Sequence, residues 1–191
     1  MRMEKGAAAP RFVAKDVLGR TFDLADYRGQ RVLLSFFREA TCPFCNLRLY
    51  ELTARHAKLA EQGLVVLCFF QSSAAQIRNH LLRVNRPFPL FGDPDRVVYG
   101  LYGIEYSLAR ATFGLLWRLP RLLRAAWHGY FVSLEGDVTV MPADILIGSD
   151  GHIRGTYYGR DLADHLPFAV IERFAQGARK PASLPAALAN S

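Results

Sequence analysis

Apolar residues in this chain fall into two kinds of run, and the contrast between them predicts the architecture. Arg31-Val32-Leu33-Leu34-Ser35-Phe36-Phe37 is almost continuously apolar after its first residue, and Leu64-Val65-Val66-Leu67-Cys68-Phe69-Phe70 wholly so. Unbroken runs this short mark strands covered on both faces, as in a parallel sheet. Between them the spacing changes. Cys45, Leu49, Leu52 and Leu59 recur at helical intervals, and Gly63 stands where a helix would stop. The pattern is strand, helix, strand.

Shorter elements flank this unit. Residues 10–22 alternate loosely around Leu18-Gly19 and read as a hairpin, followed by a polar turn from Asp23 to Gly29. A second helix is expected from Ser73 to Val84, with Ile77, Leu81 and Val84 inward. Phe88-Pro89-Leu90-Phe91 reads as a short strand that its proline restricts to a sheet edge. Asp93 or Asp95 is placed to cap a helix carrying Val97, Val98, Leu101 and Tyr102. Ala143 to Ile147 and His152 to Tyr157 are further strands, joined by Gly148-Ser149-Asp150-Gly151, where Asp-Gly signals a hairpin. Leu162 to Phe174 forms an amphipathic helix whose regular part starts near Pro167, and the Ala- and Pro-rich residues 180–191 read as a loose tail.

The stretch from Tyr106 to Tyr130 departs from this plan. Leu115, Leu119, Leu122, Leu123, Ala126 and Trp127 approximate a helical stripe, Arg118, Arg121 and Arg124 recur on another side, and Pro120 must kink or divide the helix. Charge sharpens the picture. The chain carries a net +7, yet from Tyr106 to Leu134 there is no Asp or Glu while Arg110, Arg118, Arg121 and Arg124 fall in that window. Such a segment suits nucleic acid, anionic lipid or an acidic substrate, but no nucleic-acid sequence signature accompanies it. The default expectation is a basic helical insertion over residues 106–130 that packs on its own domain, with its leucines and tryptophans covered.

Composition adds bounds. With 51% hydrophobic and 21% charged residues the chain reads as globular rather than disordered, with one domain over residues 1–179. No apolar run is long enough to span a bilayer, and Met1 to Pro10 lacks a signal-peptide core, so a cytoplasmic location is expected.

The candidate chemistry lies where the first strong strand runs into its helix, at Cys42-Pro43-Phe44-Cys45. A cysteine at a helix start meets unsatisfied N–H groups and the positive end of the helix dipole, which favour its thiolate. Pro43 suits the first helical turn, and Cys45 falls on the same face as Cys42, so the two sulfurs can close and reopen a disulfide. The chain has only three cysteines, with Cys68 inside an apolar strand, which rules out a four-cysteine zinc site. Redox chemistry without metal or cofactor is the favoured reading. Arg38 is placed to stabilise a thiolate or substrate charge, and Thr41 to hydrogen-bond the site.

Several spaced motifs together resemble a known family. Ala9-Pro10-Arg11-Phe12, Asp16-Val17-Leu18-Gly19, Asp26-Tyr27-Arg28-Gly29 and Val32-Leu33-Leu34-Ser35-Phe36 are similar to the amino-terminal signature of alkyl hydroperoxide reductase and thiol-specific antioxidant proteins. Pro89-Leu90-Phe91-Gly92-Asp93-Pro94-Asp95 is similar to that family's segment before its third helix, and Cys42-Pro43-Phe44-Cys45 resembles a Cys-Pro-aromatic-Cys subgroup. The chain thus resembles the peroxiredoxin-like branch of the thioredoxin superfamily over residues 9–176. The resemblance implies an α/β thioredoxin-like fold, a central mixed sheet flanked by helices. It also implies a thiol-disulfide enzyme acting on a peroxide or a disulfide, with a thiol reductant such as thioredoxin or glutathione and the option of a homodimer.

Two departures bear on mechanism. The peroxiredoxin register aligns Cys45 with the attacking cysteine and puts Cys42 in place of a Thr or Ser, whereas thioredoxin logic makes Cys42 the nucleophile. Arg38 stands where the family carries a proline, and Met141-Pro142 instead resembles the cis-proline turn that faces the cysteines in thioredoxins. The rival from another class is a non-catalytic binding module that docks on a partner or an anionic membrane through the basic segment.

Overall fold

The computed structural model describes residues 2–82, 84–109, 119–129 and 139–177. A hairpin of β1 (Val13–Lys15) and β2 (Thr21–Asp23) opens the chain and leads through a short 3₁₀ turn (Leu24–Tyr27) into β3 (Arg31–Phe36). Helix α1 (Pro43–Glu61) follows, and Gly63, at φ 76°, lets the chain reverse into β4 (Leu64–Phe70). Then come α2 (Ala74–Leu81), β5 (Leu90–Gly92), α3 (Val97–Leu101), α4 (Leu119–Trp127), β6 (Ala143–Ile147), β7 (Ile153–Tyr158) and α5 (Phe168–Gln176).

Strands β3 and β4 pair in parallel with Arg31 opposite Leu64, and they sit inside a five-stranded sheet of order β5-β4-β3-β6-β7. Strand β5 joins β4 in parallel, whereas β6 pairs antiparallel with β3 and β7 antiparallel with β6, so the sheet is mixed. Pro89 precedes β5 at the sheet edge, where a missing N–H does least harm.

Alternation along β3 divides the interior in two. Leu33 and Phe37 face one core with Cys42, Cys45, Leu49 and Leu52 of the α1 side, while Val32, Leu34 and Phe36 face another with Phe12, Phe22, Tyr99 and Tyr102. Each fully buried aromatic or aliphatic side chain contributes about 1.5–3 kcal/mol. Covering both faces is what an unbroken apolar strand requires.

The helices meet the expected positions with local differences. Ser73 caps α2 in a capping box with Gln76, but the helix ends at Leu81 and leaves Val84 exposed beyond it, so Val84 is not an inward residue. Of the two candidate caps for α3, Asp93 serves: its carboxylate accepts from the N–H groups of Val97, Val98 and Tyr99 at 2.9, 2.8 and 3.0 Å. Pro167 is the N-cap of α5, which begins at the next residue.

The basic segment differs most. Pro120 lies in the first turn of α4, a position a proline tolerates, and residues 110–118 before that helix lie outside the described residues. Ala125 is wholly buried in that helix, but Leu123 is 64% and Trp127 90% exposed, against the expectation that the apolar residues would be covered. The helix phase explains this, because Leu123 and Trp127 project roughly opposite Ala125. Leu115, Trp117, Arg110 and Arg118 lie outside the described residues, as does the tail of residues 180–191.

Candidate active site

The chain leaves β3 through a loop pinned by neighbours on both sides. Phe37 donates its N–H to the Phe69 carbonyl at 2.8 Å and accepts from the Tyr99 hydroxyl, while the Gln71 N–H reaches the Arg38 carbonyl at 2.9 Å. The Ala40 N–H donates to Ser72 Oγ at 2.9 Å, and that hydroxyl donates to the buried Glu39 carboxylate at 2.6 Å. Asn46, one turn into α1, donates from Nδ2 to the carbonyls of Ala40 and Cys42 at 2.8 and 2.9 Å. The loop is thereby held against the first turn of the helix.

That anchoring puts Cys42 at the N-cap of α1, with extended backbone at φ −66° and ψ 122°, Pro43 as the first helical residue and Cys45 one turn in. Both cysteines are reduced and buried, Cys42 3% and Cys45 1% exposed, so accessibility does not separate them. Electrostatics does. Hydrogen bonding from the Cys45 thiol outweighs burial at Cys42, and with the nearby Arg38 charge and the backbone N–H groups of Cys45 and Phe44 it lowers the thiol to about 6. These backbone groups face the sulfur as dipoles without completing a cap hydrogen bond. Arg38 is itself buried and brings Nη1 to 3.5 Å from Cys42 Sγ. Burial first, then the proximity of Cys42, pushes Cys45 well above an ordinary thiol. Two cysteines three residues apart therefore titrate in opposite directions.

The sequence-predicted residues are brought together unevenly. Arg38, Pro43 and both cysteines form one buried group, and Thr41 lies partly exposed just before the N-cap. Pro142 immediately precedes β6, whose Ala143 pairs with Phe36, so it lies at the same end of the sheet as the cysteines. The expected cis bond is not formed: among the described residues no peptide bond is cis, so Met141-Pro142 is trans. Its carbonyl instead accepts from the Gly159 N–H at 2.8 Å, and a Cβ on Gly159 would come within 2.9 Å of the Pro142 ring. Backbone packing against β7 holds this turn.

A buried polar cluster behind the site escaped sequence reading. Asp144, fully buried in β6, accepts from Ser35 Oγ at 2.5 Å and the Leu166 N–H at 2.8 Å, and its Oδ2 lies 3.0 Å from His165 Nδ1. Arg48, on α1, donates to the Leu166 carbonyl at 2.7 Å, and the His165 ring packs 5.0 Å from Phe37. Burial alone would raise the Asp144 carboxyl, but His165, Arg48 and Ser35 hold it at about 2. The cluster ties α1 to β3, β6 and the loop before α5. Its one sequence signal was a lone aspartate in an otherwise apolar strand. Among the described residues no group of His, Cys, Asp and Glu side chains is placed to hold a metal ion.

Comparison with known proteins places this arrangement among thiol enzymes. A peroxiredoxin-named protein of Mycobacterium tuberculosis is 29% identical over 118 residues, which cover 60% of this chain and 75% of that protein. Among solved structures, peroxidoxin BcpB from Mycobacterium tuberculosis superposes with a TM-score of 0.67 at 14% identity, covering 94% of this chain and 100% of that one. A structure described as a thiol:disulfide interchange protein of the DsbE type from Chlorobium tepidum gives a TM-score of 0.63 at 18% identity, covering 92% of this chain and 97% of that one. At such identities the structural likenesses establish the thioredoxin-like fold that peroxidases and interchange proteins share. The family follows from the sequence itself: the AhpC/TSA family model matches residues 5–156, well over half the chain, and with the cysteine-bearing helix set after the central strand the chain belongs to the AhpC/TSA family.

Proposed function

We propose that the chain is a peroxiredoxin-like thiol peroxidase in which Cys42 attacks and Cys45 resolves. The observation that carries this assignment is the placement of Cys42 at the N-cap of α1 with Arg38 Nη1 3.5 Å from its sulfur, which favours its thiolate, while burial one turn further in pushes the Cys45 thiol up. The Cys42 thiolate attacks the terminal oxygen of a hydroperoxide, the O–O bond breaks, and the alkoxide or hydroxide leaves with a proton as alcohol or water. Cys42 becomes a sulfenic acid. The Cys45 thiol then displaces its hydroxyl, which departs with the Cys45 proton as water, and a Cys42–Cys45 disulfide forms. Two electrons pass from the dithiol to the peroxide. A thiol reductant of the thioredoxin or glutathione kind restores the dithiol, which suits a reducing compartment such as the cytoplasm.

Arg38 supports this chemistry from 3.5 Å, and its Nε is a buried donor with no partner among the described residues. A peroxide oxygen arriving beside Cys42 would meet a fixed positive charge. Disulfide reduction is the second reading, favoured by the buried dithiol at a helix start with Pro142 at the same end of the sheet.

Turnover of hydrogen peroxide, an organic hydroperoxide and insulin disulfide, each with wild type and Cys42→Ser, separates the two readings. Mass spectrometry after one equivalent of peroxide then settles the order of attack. Cys45→Ser is expected to accumulate sulfenic acid on Cys42, whereas Cys42→Ser is expected to stay unreacted. Ready oxidation of Cys45 in Cys42→Ser, with none on Cys42 in Cys45→Ser, would reverse the assignment of nucleophile.

A further inference from the structure

Helix α4 leaves two large apolar side chains, Leu123 and Trp127, uncovered by its own domain. Among the described side chains, its contact with α1 includes the fully covered Ala125, an ion pair at 3.2 Å between Arg124 Nη1 and Glu51 Oε1, and the His128 ring 4.7 Å from that of Tyr50. Leu123 and Trp127 point outward. Pro120, Leu123 and Trp127, at spacings of three and four, share one exposed face, on which Trp127 is the most open large side chain at 90%. A stripe of this kind left in water marks a docking surface.

We propose that this face of α4 attaches the protein to the surface of an anionic bilayer. Charge selects the occupant. The helix sits in a stretch, Tyr106 to Leu134, with four arginines and no acidic residue, and Glu51, the acid that meets it, is only 12% exposed and already paired with Arg124. Arginines near a tryptophan in the sequence, Arg121 and Arg124 before Trp127, match a headgroup layer, where negative lipids attract basic side chains and the indole takes the boundary between water and acyl chains. Size argues against a second copy of the chain. A tryptophan offers about 150–250 Å², whereas a stable protein partner needs about 800 Å² from each side. A bilayer makes no demand for shape complementarity, and a short helix lying in its plane is sufficient. No described helix is long and apolar enough to cross, so the contact is peripheral.

The attachment would sit on the cysteine-bearing helix itself. Glu51 and Tyr50 are two turns beyond Cys42 on α1, about 12–14 Å along its axis, and the α4 contact is made there. Docking is independent of which cysteine attacks and of whether the substrate is a peroxide or a disulfide.

Co-sedimentation of the full chain with phosphatidylcholine vesicles, with and without about 30% phosphatidylglycerol, tests the proposal. Wild type is expected to bind the anionic vesicles at low salt at least about tenfold more tightly than the neutral ones, and to dissociate as salt rises. The pair Leu123→Ser with Trp127→Ala is expected to lose about tenfold in binding while keeping its far-ultraviolet dichroism and the pH profile of Cys42 alkylation. With Trp117→Phe leaving Trp127 as the single tryptophan, its emission is expected to shift to the blue on anionic vesicles. Absence of wild-type binding at low salt overturns the proposal, as does undiminished binding by the double variant. A concentration-dependent dimer in sedimentation velocity that the double variant abolishes would overturn it in favour of a second copy as the occupant. Loss of peroxide turnover in wild type, with vesicle binding intact, would instead sink the catalytic reading alone.

Discussion

At Cys42 the sulfur is pulled toward thiolate by its neighbours and away from it by burial, and the balance falls on the ionised side at about 6. Because this acidic group titrates below its ordinary value of about 8.5, its contribution to the stability of the reduced state is fully present above that value. It is lost as pH falls through about 6. Reactivity follows the same curve, so alkylation of Cys42 is expected to rise through a midpoint near 6 and then level off. Arg38→Gln removes the charge 3.5 Å from the sulfur. We expect it to move that midpoint up by about 1–2 units; an unchanged midpoint would show that Arg38 does not act on the thiolate. Cys42, Pro43 and Cys45 were readable as a group because they are contiguous. Asn46 follows the motif directly, but its role was not readable, since a side chain that reaches back to two loop carbonyls depends on how the loop closes.

Between elements, the turn at Pro142 shows how a strand pair replaces a local backbone device. With Met141-Pro142 trans, the position of the turn rests on β6 pairing with β3 on one side and β7 on the other. Gly159 is what permits the close approach, since a Cβ there would press first on the Asp164 carbonyl oxygen and then on the Pro142 ring and carbonyl at 2.9 Å. Gly159→Ala is expected to lower the unfolding free energy by about 1–3 kcal/mol through overpacking, measured by urea unfolding, and to slow peroxide turnover if the turn shapes the site. An unchanged midpoint would mean that the turn relaxes freely. Other boundaries moved for similar reasons. Val84 was assigned an inward position by helical period, but α2 stops at Leu81.

Across the whole molecule, the Asp144 cluster joins α1, β3, β6 and the loop before α5 through a buried charge. Its carboxyl sits at about 2 in the fold, against about 3.9 when unfolded. A depressed carboxyl contributes stability that is present above the unfolded value and is lost as pH falls through the folded one. The window is therefore about pH 4 down to about 2, and the amount on the order of 2–3 kcal/mol. Asp144→Ala leaves His165 and the Leu166 N–H buried without their acceptor, and we expect a loss of about 3–5 kcal/mol at neutral pH together with a flatter acid-unfolding curve. A variant as acid-sensitive as wild type would show that other carboxylates govern acid unfolding.

The chain by itself determined the strands that are buried on both faces, the helix between them and the cysteine pair at its start. These depend on residues that are neighbours in sequence or one helical turn apart, so periodicity and spacing carry the information. The family resemblance was legible for the same reason, as a set of short contiguous motifs later matched over residues 5–156. Tertiary structure alone decided the rest. Asp144 and His165 are 21 residues apart and meet only when β6 and the loop before α5 pack together. The outward face of α4 depends on which residue the helix turns toward α1, and its apolar period was visible while its phase was not. The lower position of Cys42 was legible from its place at the helix start, where the Phe44 and Cys45 N–H groups lie within the motif, but the approach of buried Arg38 and the exclusion of water from both sulfurs needed the fold.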